Sequence, residues 1–424
     1  MPETLLGLDV GTTKVAAVVG SGGAPGVRRP ADGPALLGAA LASCAGLRRG
    51  NGVDVAETTR GIQEATAKAL RMAGVEMEAA WVGVTGQHIS CLNARGEVQI
   101  ARAHRQVTWE DVERVMGAAV NAVSLSPDRQ MIHAISRGFW VDDQPRVRNP
   151  VGLTANRLAV DTHMVTASRN LVANLVKSVE AAGLEVAELV AEPLAGADAV
   201  LTADEEELGV LLIDVGGGTT DLGLFLEGSI AFTGAVPVGG ANVTHDLAVA
   251  LGITHPQAEQ VKLAHGCCSP GRIPEEEETV TVPGEEGRSF SRRLLAEVIE
   301  ARVQETFALV AHEMGRAQAN WPPPGGAVLT GGGSLLPGIA EMAARALGCR
   351  VRLGRPRVAS GPSGLLETPA LATGVGLVYY AHREAESRRG EARRGWGRAG
   401  SPAALRALPI LGRVVAWVKE MFSS

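Results

Sequence analysis

The chain has 424 residues, 46% of them hydrophobic and only 3% aromatic, with 53 Gly and a formal net charge of −6. That size allows about two to four domains with a sizeable core resting on Ala, Val and Leu, and the mild acidity, without a helix-borne basic patch interleaved with aromatics, excludes nucleic acid as the expected partner. Cys44, Cys91, Cys267, Cys268 and Cys349 form no CxxC pair, so they indicate neither a zinc site nor a disulfide framework and fit a reducing compartment.

From the N-terminus, Leu5 to Val19 (LLGLDVGTTKVAAVV) reads as a strand, a tight turn and a returning strand, with Asp9 ending the first apolar run and Gly11, Thr12, Thr13 and Lys14 in the turn. Ser21 to Pro34 is rich in Gly, Pro and Arg and reads as a loop. Val53 to Ala73 is expected to be a helix capped by Asp54 and stopped at Gly74, after which Trp81 to Thr85 resumes β pattern. From Gly86 the pattern changes. Two short strands in Gln87 to Ile100 around Asn93 to Gly96, a helix from Thr108 to Val123, and strands at Met131 to Val141 and Arg157 to Val165 make a compact α+β insert. His88, His104, His133 and His163 fall inside it without metal-ligand spacing and are expected to carry no chemistry.

Asn170 to Ala182 places Leu171, Leu175, Val176 and Val179 on one helical face, AEPLAGADAV sets Glu192 at the start of a small-residue helix, and Asp204 to Glu207 reads as a solvated loop. Leu208 to Phe225 (LGVLLIDVGGGTTDLGLF) then repeats the grammar of the first hairpin, which implies duplication of a whole domain. Gly216, Gly217 and Gly218 let backbone amides approach an anion, and Thr219 and Thr220 add hydroxyl donors. Asp214 ends a buried strand, a costly place for a lone carboxylate unless it holds a hydrated cation, so Asp9 and Asp214 are read as Mg²⁺-side ligands acting through water. Taken alone, the loop also fits a glycine-rich hairpin with a capping aspartate.

Gly239 and Gly240 stand ahead of a helix, whose N-terminus suits phosphate. Glu259 and Lys262 share a face of the helix Gln257 to His265; Ile273 to Glu286 is expected to be a β excursion, followed by a helix from Arg292 to about Gln318. Ala327 to Gly338 (AVLTGGGSLLPG) is a third strand-and-glycine element, with Gly331, Gly332, Gly333 and Ser334 placed for close approach to a base or ribose. Thr368 to Tyr380 reads as a small-residue helix under the cleft, Arg383 to Arg398 as a basic linker. Pro402 to Phe422 spaces Leu405, Leu408, Leu411, Val415, Val418 and Phe422 helically, a helix too short and charged to span a bilayer but suited to lie in its interface. A helix docked on the body is the alternative. No basic stretch followed by an apolar run opens the chain, which argues against secretion.

The order DxGTTK, DxGGGTTD, TGGGS resembles the phosphate and adenosine motifs of the actin, heat-shock chaperone and sugar-kinase superfamily. The insert segments TGQHISCLNARGEVQI, WEDVERVMGAAV, IHAISRGFWVDDQ and NPVGLTANRLAVDTHMV further resemble the bacterial FtsA cell-division family. The resemblance implies an α/β, duplicated actin-like ATPase fold with an inserted α+β 1C subdomain and a C-terminal amphipathic helix. Residues 1–85 and 164–207, closed by a helix 368–382, would form subdomain 1A; 86–163 subdomain 1C; 208–240 and 325–367 subdomain 2A; 241–324 subdomain 2B; 383–401 a flexible linker; and 402–424 the membrane-targeting helix. It implies ATP and Mg²⁺ as cofactors, with Glu192 orienting the attacking water, a Glu satisfied by its helix dipole being the alternative. It also implies Glu259 and Lys262 around ribose and adenine, a surface ion pair being the alternative. The implied partners are the FtsZ C-terminal peptide, met by subdomain 2B with Arg288, Arg292, Arg293 and Arg302 in reach or merely solvated; further copies of the chain in a protofilament; other division proteins at subdomain 1C; and the inner leaflet of the cytoplasmic membrane at the division site. A pilus-assembly relative or a sugar kinase are the rival readings; the insert and tail give neither a reason.

Overall fold

The computed structural model describes residues 3–22, 33–44, 46–48, 52–100, 105–274, 278–284, 287–317, 321–358, 361 and 364–393. The chain opens with β1 (Glu3–Val10), β2 (Lys14–Gly22) and β3 (Ala35–Ser43), a short ribbon of β4 (Leu47–Arg48) and β5 (Gly52–Val53), then α1 (Val55–Ala73) and β6 (Ala79–Val84). Asp54 Oδ1 accepts the Glu57 N–H at 3.1 Å to start α1, and Gly74, at φ 67°, ends it. Next come β7 (Ser90–Gln99), α2 (Trp109–Asn121), β8 (Arg129–Val141), β9 (Gln144–Val147) and β10 (Arg157–Ser168), followed by α3 (Arg169–Ala181), β11 (Glu185–Ala191), α4 (Glu192–Val200) and α5 (Ala203–Leu208).

The second half runs β12 (Val210–Val215), β13 (Thr220–Leu226), β14 (Ser229–Val236), α6 (Gly240–Leu251), α7 (His255–His265), β15 (Thr279–Thr281), β16 (Ser289–Ser291), α8 (Arg292–Arg316), β17 (Ala327–Thr330), α9 (Ile339–Leu347), β18 (Val351–Leu353) and α10 (Ala372–Arg393). Its sheet, β14-β13-β12-β17-β18, has the same order as β3-β2-β1-β6-β11 in the first half. Each is an antiparallel meander extended by two parallel strands. Central strands covered on both faces read as unbroken apolar runs, which is why Leu5, Leu6 and Leu8 recur as Val210, Leu211, Leu212 and Ile213, all buried. The duplication implied by the two hairpins is therefore a duplication of fold.

The insert has its own sheet, β7-β10-β8-β9, and a core of Val112, Val115, Met116, Phe139, Leu158 and Met164 under α2. Where two short strands were expected, Ser90–Gln99 is one strand paired without a break to β10. Gly96 marks no turn: a Cβ there would lie 2.3 Å from the Val115 carbonyl oxygen, so the glycine admits α2 against the sheet. The last insert strand also runs past the expected boundary at 163, because β10 pairs with β8 as far as Ser168. The insert docks on the second half through His163, whose Nδ1 donates to Asn93 Oδ1 at 2.8 Å and whose Nε2 accepts from Thr233 Oγ1 at 2.9 Å. Arg146–Glu227 and Arg148–Glu207 ion pairs flank this contact. His133 Nε2 accepts the Ala191 N–H at 3.0 Å. Burial holds both imidazoles neutral, their pKa values lowered to about 3, and His88 is lowered to about 4 by the same cause. These are core side chains; His104 lies outside the described residues.

Two further expectations are corrected. Asp204 to Glu207 belongs to α5, started by a capping box in which Thr202 Oγ1 accepts the Glu205 N–H at 3.2 Å and Glu205 accepts the Thr202 N–H at 2.9 Å. Arg352 then pairs with Glu205, Nε to Oε1, at 2.6 Å. The closing helix also does not yield to a linker at 383: α10 continues to Arg393 because Arg383 pairs with Asp198 on α4 and lies over the Tyr380 ring, 4.8 Å from its centroid. The β excursion consists of the short β15–β16 pair, part of it outside the described residues. The tail, 402–424, lies wholly outside them. Among the described residues no helix is long and apolar enough to cross a membrane.

Candidate functional site

The two hairpin turns are built alike. Gly11 N–H donates to the Lys14 carbonyl at 2.9 Å, and Gly216 N–H to the Thr219 carbonyl at 2.9 Å. Thr12 and Thr13 therefore correspond to Gly217 and Gly218, and the two turns press tip to tip: a Cβ on Gly217 would lie 2.3 Å from Thr13 Oγ1, and one on Gly218 2.6 Å from Thr12 Oγ1. Side chains on one turn require their absence on the other. The start of α6 is sewn to the same place, since Gly240 and Ala241 N–H donate to the Gly216 and Gly217 carbonyls at 2.9 and 2.7 Å. A Cβ on Gly239 would sit 2.6 Å from the Gly216 oxygen. These helix amides brace the turn.

The expected hydroxyl donors of the second turn are spent internally. Strand alternation turns Thr220 away from the cleft, where its Oγ1 donates to the Val238 carbonyl at 2.7 Å, and Thr219 Oγ1 donates to Asp221 Oδ2 at 3.1 Å. Ser334, also expected to face a ligand, is buried with its Oγ donating to the Gly331 carbonyl at 2.7 Å, closing its own turn. Gly331 itself, at φ 82° and ψ 166°, brings the third glycine element onto the first two: a Cβ there would lie 2.1 Å from Asp214 Oδ1.

Around these turns lies a cleft of about 480 Å³, lined by Asp9, Gly11, Thr12, Thr13, Lys14, Glu192, Asp214, Gly216, Gly217, Thr219, Asp221, Gly239, Gly240, Glu259, Lys262, Gly331, Gly332 and Gly333. Gly218, Thr220 and Ser334 back it without lining it. Four carboxylates stand at its floor. Asp9 ends β1, Glu192 is the first residue of α4, and Asp214 and Asp221 face each other across the β12–β13 ladder. Asp214 Oδ2 accepts from Thr373 Oγ1 at 2.9 Å, and the Lys14 ammonium donates to the Ala370 carbonyl. Burial pushes Asp9 up to about 6 against the pull of Lys14, with Asp214 adding to the rise. It pushes Asp221 up to about 7, and raises Asp214 despite Lys14 and Thr373. Glu192 is raised well above the carboxylate range by burial and then by the charges of Asp9, Asp221 and Asp214. Its Oε1 is buried without a hydrogen-bond partner, and the missing Cβ of Gly83 would lie 3.1 Å from it.

One ammonium among four carboxylates leaves the floor short of positive charge, which a divalent cation would supply. Among the described residues no three His, Cys, Asp or Glu side chains converge closely enough to hold a metal directly, so a cation here would retain much of its water, as Mg²⁺ does. The cleft lining also includes the apolar side chains of Val243, Leu263, Val303, Phe307, Leu335, Leu336 and Ile339. Of these, Leu263 is 75% and Leu335 49% exposed. Lys262 Nζ donates to Glu259 Oε2 at 2.7 Å, Thr244 Oγ1 at 2.9 Å and the Gly240 carbonyl at 3.2 Å, tying α7 to α6 at the cleft edge.

Sequence reasoning left Asp221 without a role and missed Thr373, Ala370, Leu263 and Leu335. The pattern held a signal for the first of these, since a hairpin that aims Asp214 at a ligand aims its directly opposed residue the same way.

The family model described as "Cell division protein FtsA" matches residues 211–376, and that described as "SHS2 domain inserted in FTSA" matches residues 86–166. The chain is 39% identical over 381 residues to the cell division protein FtsA of Pseudomonas aeruginosa, covering 89% of both chains. It is 33% identical over 385 residues to that of Bacillus subtilis, covering 90% of this chain and 84% of that one. Among solved structures, a chain of the PilM-PilN type IV pilus biogenesis complex superposes with a TM-score of 0.61 at 18% identity, covering 89% of this chain and 98% of that one. That likeness is one of fold, and the fold is actin-like.

Proposed function

This chain belongs to the FtsA family of actin-like cell division proteins, and we propose that it binds ATP with Mg²⁺ in the cleft, self-associates into protofilaments and tethers FtsZ filaments to the inner face of the cytoplasmic membrane. The observation that carries the nucleotide reading is the floor of Asp9, Glu192, Asp214 and Asp221 beneath two interlocked turns, a concentration of carboxyl groups with Lys14 as the one ammonium at the floor among the described residues. Asp9 and Asp214 would hold Mg²⁺ through water and Lys14 would meet phosphate, with Leu263 and Leu335 against the base. The metal supplies charge neutralisation at the phosphates.

Glu192 is the water-positioning group in this reading. Its unpartnered buried Oε1 suits a water, and burial raises its pKa well above the ordinary carboxylate value. In subdomain 2B the four candidate arginines separate. Arg302 is committed to Asp246 (2.5 and 2.9 Å), Arg288 to the carbonyls ending α6 and Arg292 Nε to the His265 carbonyl at 3.2 Å, whereas Arg293 is half exposed, its nearest acidic oxygen that of Glu278 at 3.9 Å. Arg293 is thus the best placed of the four for the acidic FtsZ peptide. The amphipathic pattern of 402–424 supports the membrane contact.

Co-sedimentation with anionic vesicles tests the tether. A labelled FtsZ C-terminal peptide should reach vesicles only when Ser401 to Ser424 is present, and peptide recruitment by the truncated chain would refute the tail's role. Asp214→Ala should sharply weaken ATP·Mg²⁺ binding; an unchanged titration would remove the site assignment.

A further inference from the structure

Outside the cleft lining stand two exposed imidazoles, His245 on α6 and His255 at the start of α7. His245 Nδ1 and His255 Nε2 are 3.4 Å apart, the ring centroids are 5.3 Å apart and the ring planes differ by 28°. That separation is long for a hydrogen bond, whose nitrogen donors favour about 2.9–3.0 Å. A hydrogen-bonded pair in line at the same spacing, with each nitrogen about 1.15 Å from its ring centre, would put the centres about 5.7 Å apart, and a bent one closer. Two imidazole nitrogens sharing a tetrahedral zinc ion at about 2.0–2.1 Å lie about 3.3–3.4 Å apart with ring centres about 5.2 Å apart. Both measured distances match the shared ion.

The two side chains are carried on anchored backbone. Thr244, just before His245, accepts the Lys262 ammonium at 2.9 Å and donates to Glu259 on α7, and Asp246, just after it, is held by Arg302. Thr254 caps α7 immediately before His255, its Oγ1 accepting the Gln257 N–H at 3.4 Å. Little backbone ordering would remain to be done on binding.

We propose that His245 and His255 form a two-histidine site for a divalent transition cation of the zinc type, with water completing the coordination. Among the described residues no third His, Cys, Asp or Glu joins them, so the remaining positions stay open. An ion there would clamp α6 to α7, the two helices that bring Gly240, Glu259 and Lys262 to the cleft.

Isothermal titration of the full chain with Zn²⁺, against His245→Gln, His255→Gln and the control His312→Gln, tests the site. Wild type and the control should bind one equivalent that both site variants lose or hold at least tenfold more weakly. Zinc taken up by the five thiols would survive all three substitutions. Equal stoichiometry and affinity in wild type and both site variants, or no zinc uptake by wild type, overturns the proposal.

Discussion

Gly331→Ala is expected to be among the most damaging single-methyl changes in the molecule, and Gly332→Ala, one residue on, among the mildest. Gly331 sits at φ 82° and ψ 166°, a region open in practice to glycine alone, which costs roughly 1–3 kcal/mol for another residue. The added Cβ would also lie 2.1 Å from Asp214 Oδ1 and 2.6 Å from the Val215 carbonyl oxygen. The first cannot retreat without breaking the 2.9 Å bond from Thr373, and the second is strand backbone. Overpacking of this kind costs about 1–3 kcal/mol. At Gly332 the nearest atom to a Cβ is Ala370 Cβ at 3.9 Å, ordinary contact. Chemical denaturation should place Gly331→Ala about 2–6 kcal/mol below wild type and Gly332→Ala within about 0.5 kcal/mol of it. ATP·Mg²⁺ titration should show at least a tenfold loss for the first alone. Indistinguishable variants would refute the claim that the glycine exists to let the third turn meet Asp214.

Asp221→Asn gives a pH test. A carboxyl raised from 3.8 to about 7 in the fold holds a proton that the unfolded chain has lost, so its contribution is favourable at low pH and is lost as pH rises through about 7. In the nucleotide-free protein wild type and variant should match near pH 4, with the variant pulling ahead by up to about 4 kcal/mol above pH 7; a constant difference would show that burial does not raise this group. His163→Ala leaves the buried Thr233 hydroxyl without its partner and removes a buried ring, and should cost about 2–4 kcal/mol. Its signature is faster amide hydrogen exchange in Ser229–Val236 while Val210–Val215 stays protected, and uniform acceleration would deny the insert its docking role. Arg383→Met leaves Asp198 partly buried without its guanidinium and should cost about 2–3 kcal/mol, somewhat less than the loss of one partner of a fully buried pair. Limited proteolysis should then cut within α10, and an unchanged digest would reject the pairing as what keeps that turn helical.

The elements that could be read in the sequence are those whose cause is local. Asp54 and Gly74 bracket α1 within its own residues, and each phosphate-type hairpin announces itself by an apolar run, an aspartate and glycines. What escaped depends on residues far apart in the chain. Gly96 reads as turn chemistry because nothing in NARG reveals that α2 crosses it, and nothing in GGG reveals that Gly217 and Gly218 also clear the side chains of Thr13 and Thr12. Thr219 and Thr220 look interchangeable with Thr12 and Thr13 in the two motifs, but the hairpin hydrogen bonds align the latter with the glycines, and the hydroxyls of the former are spent inside the fold.

The charged stretch after Tyr380 misled for the same reason, and its correction links the site to the end of the described chain. A run of Arg and Glu reads as solvated unless a partner waits elsewhere, and for Arg383 that partner is Asp198. The helix so prolonged begins beside the cleft, with Ala370 receiving Lys14 just ahead of it and Thr373 bonded to Asp214 in its first turn. It lies along α4, whose first residue is Glu192 and whose Asp198 holds Arg383 farther on. Any ligand that draws Lys14 or Asp214 toward itself must therefore work against bonds to Ala370, just ahead of α10, and to Thr373 in its first turn, at one end of a helix about 30 Å long that reaches Arg393.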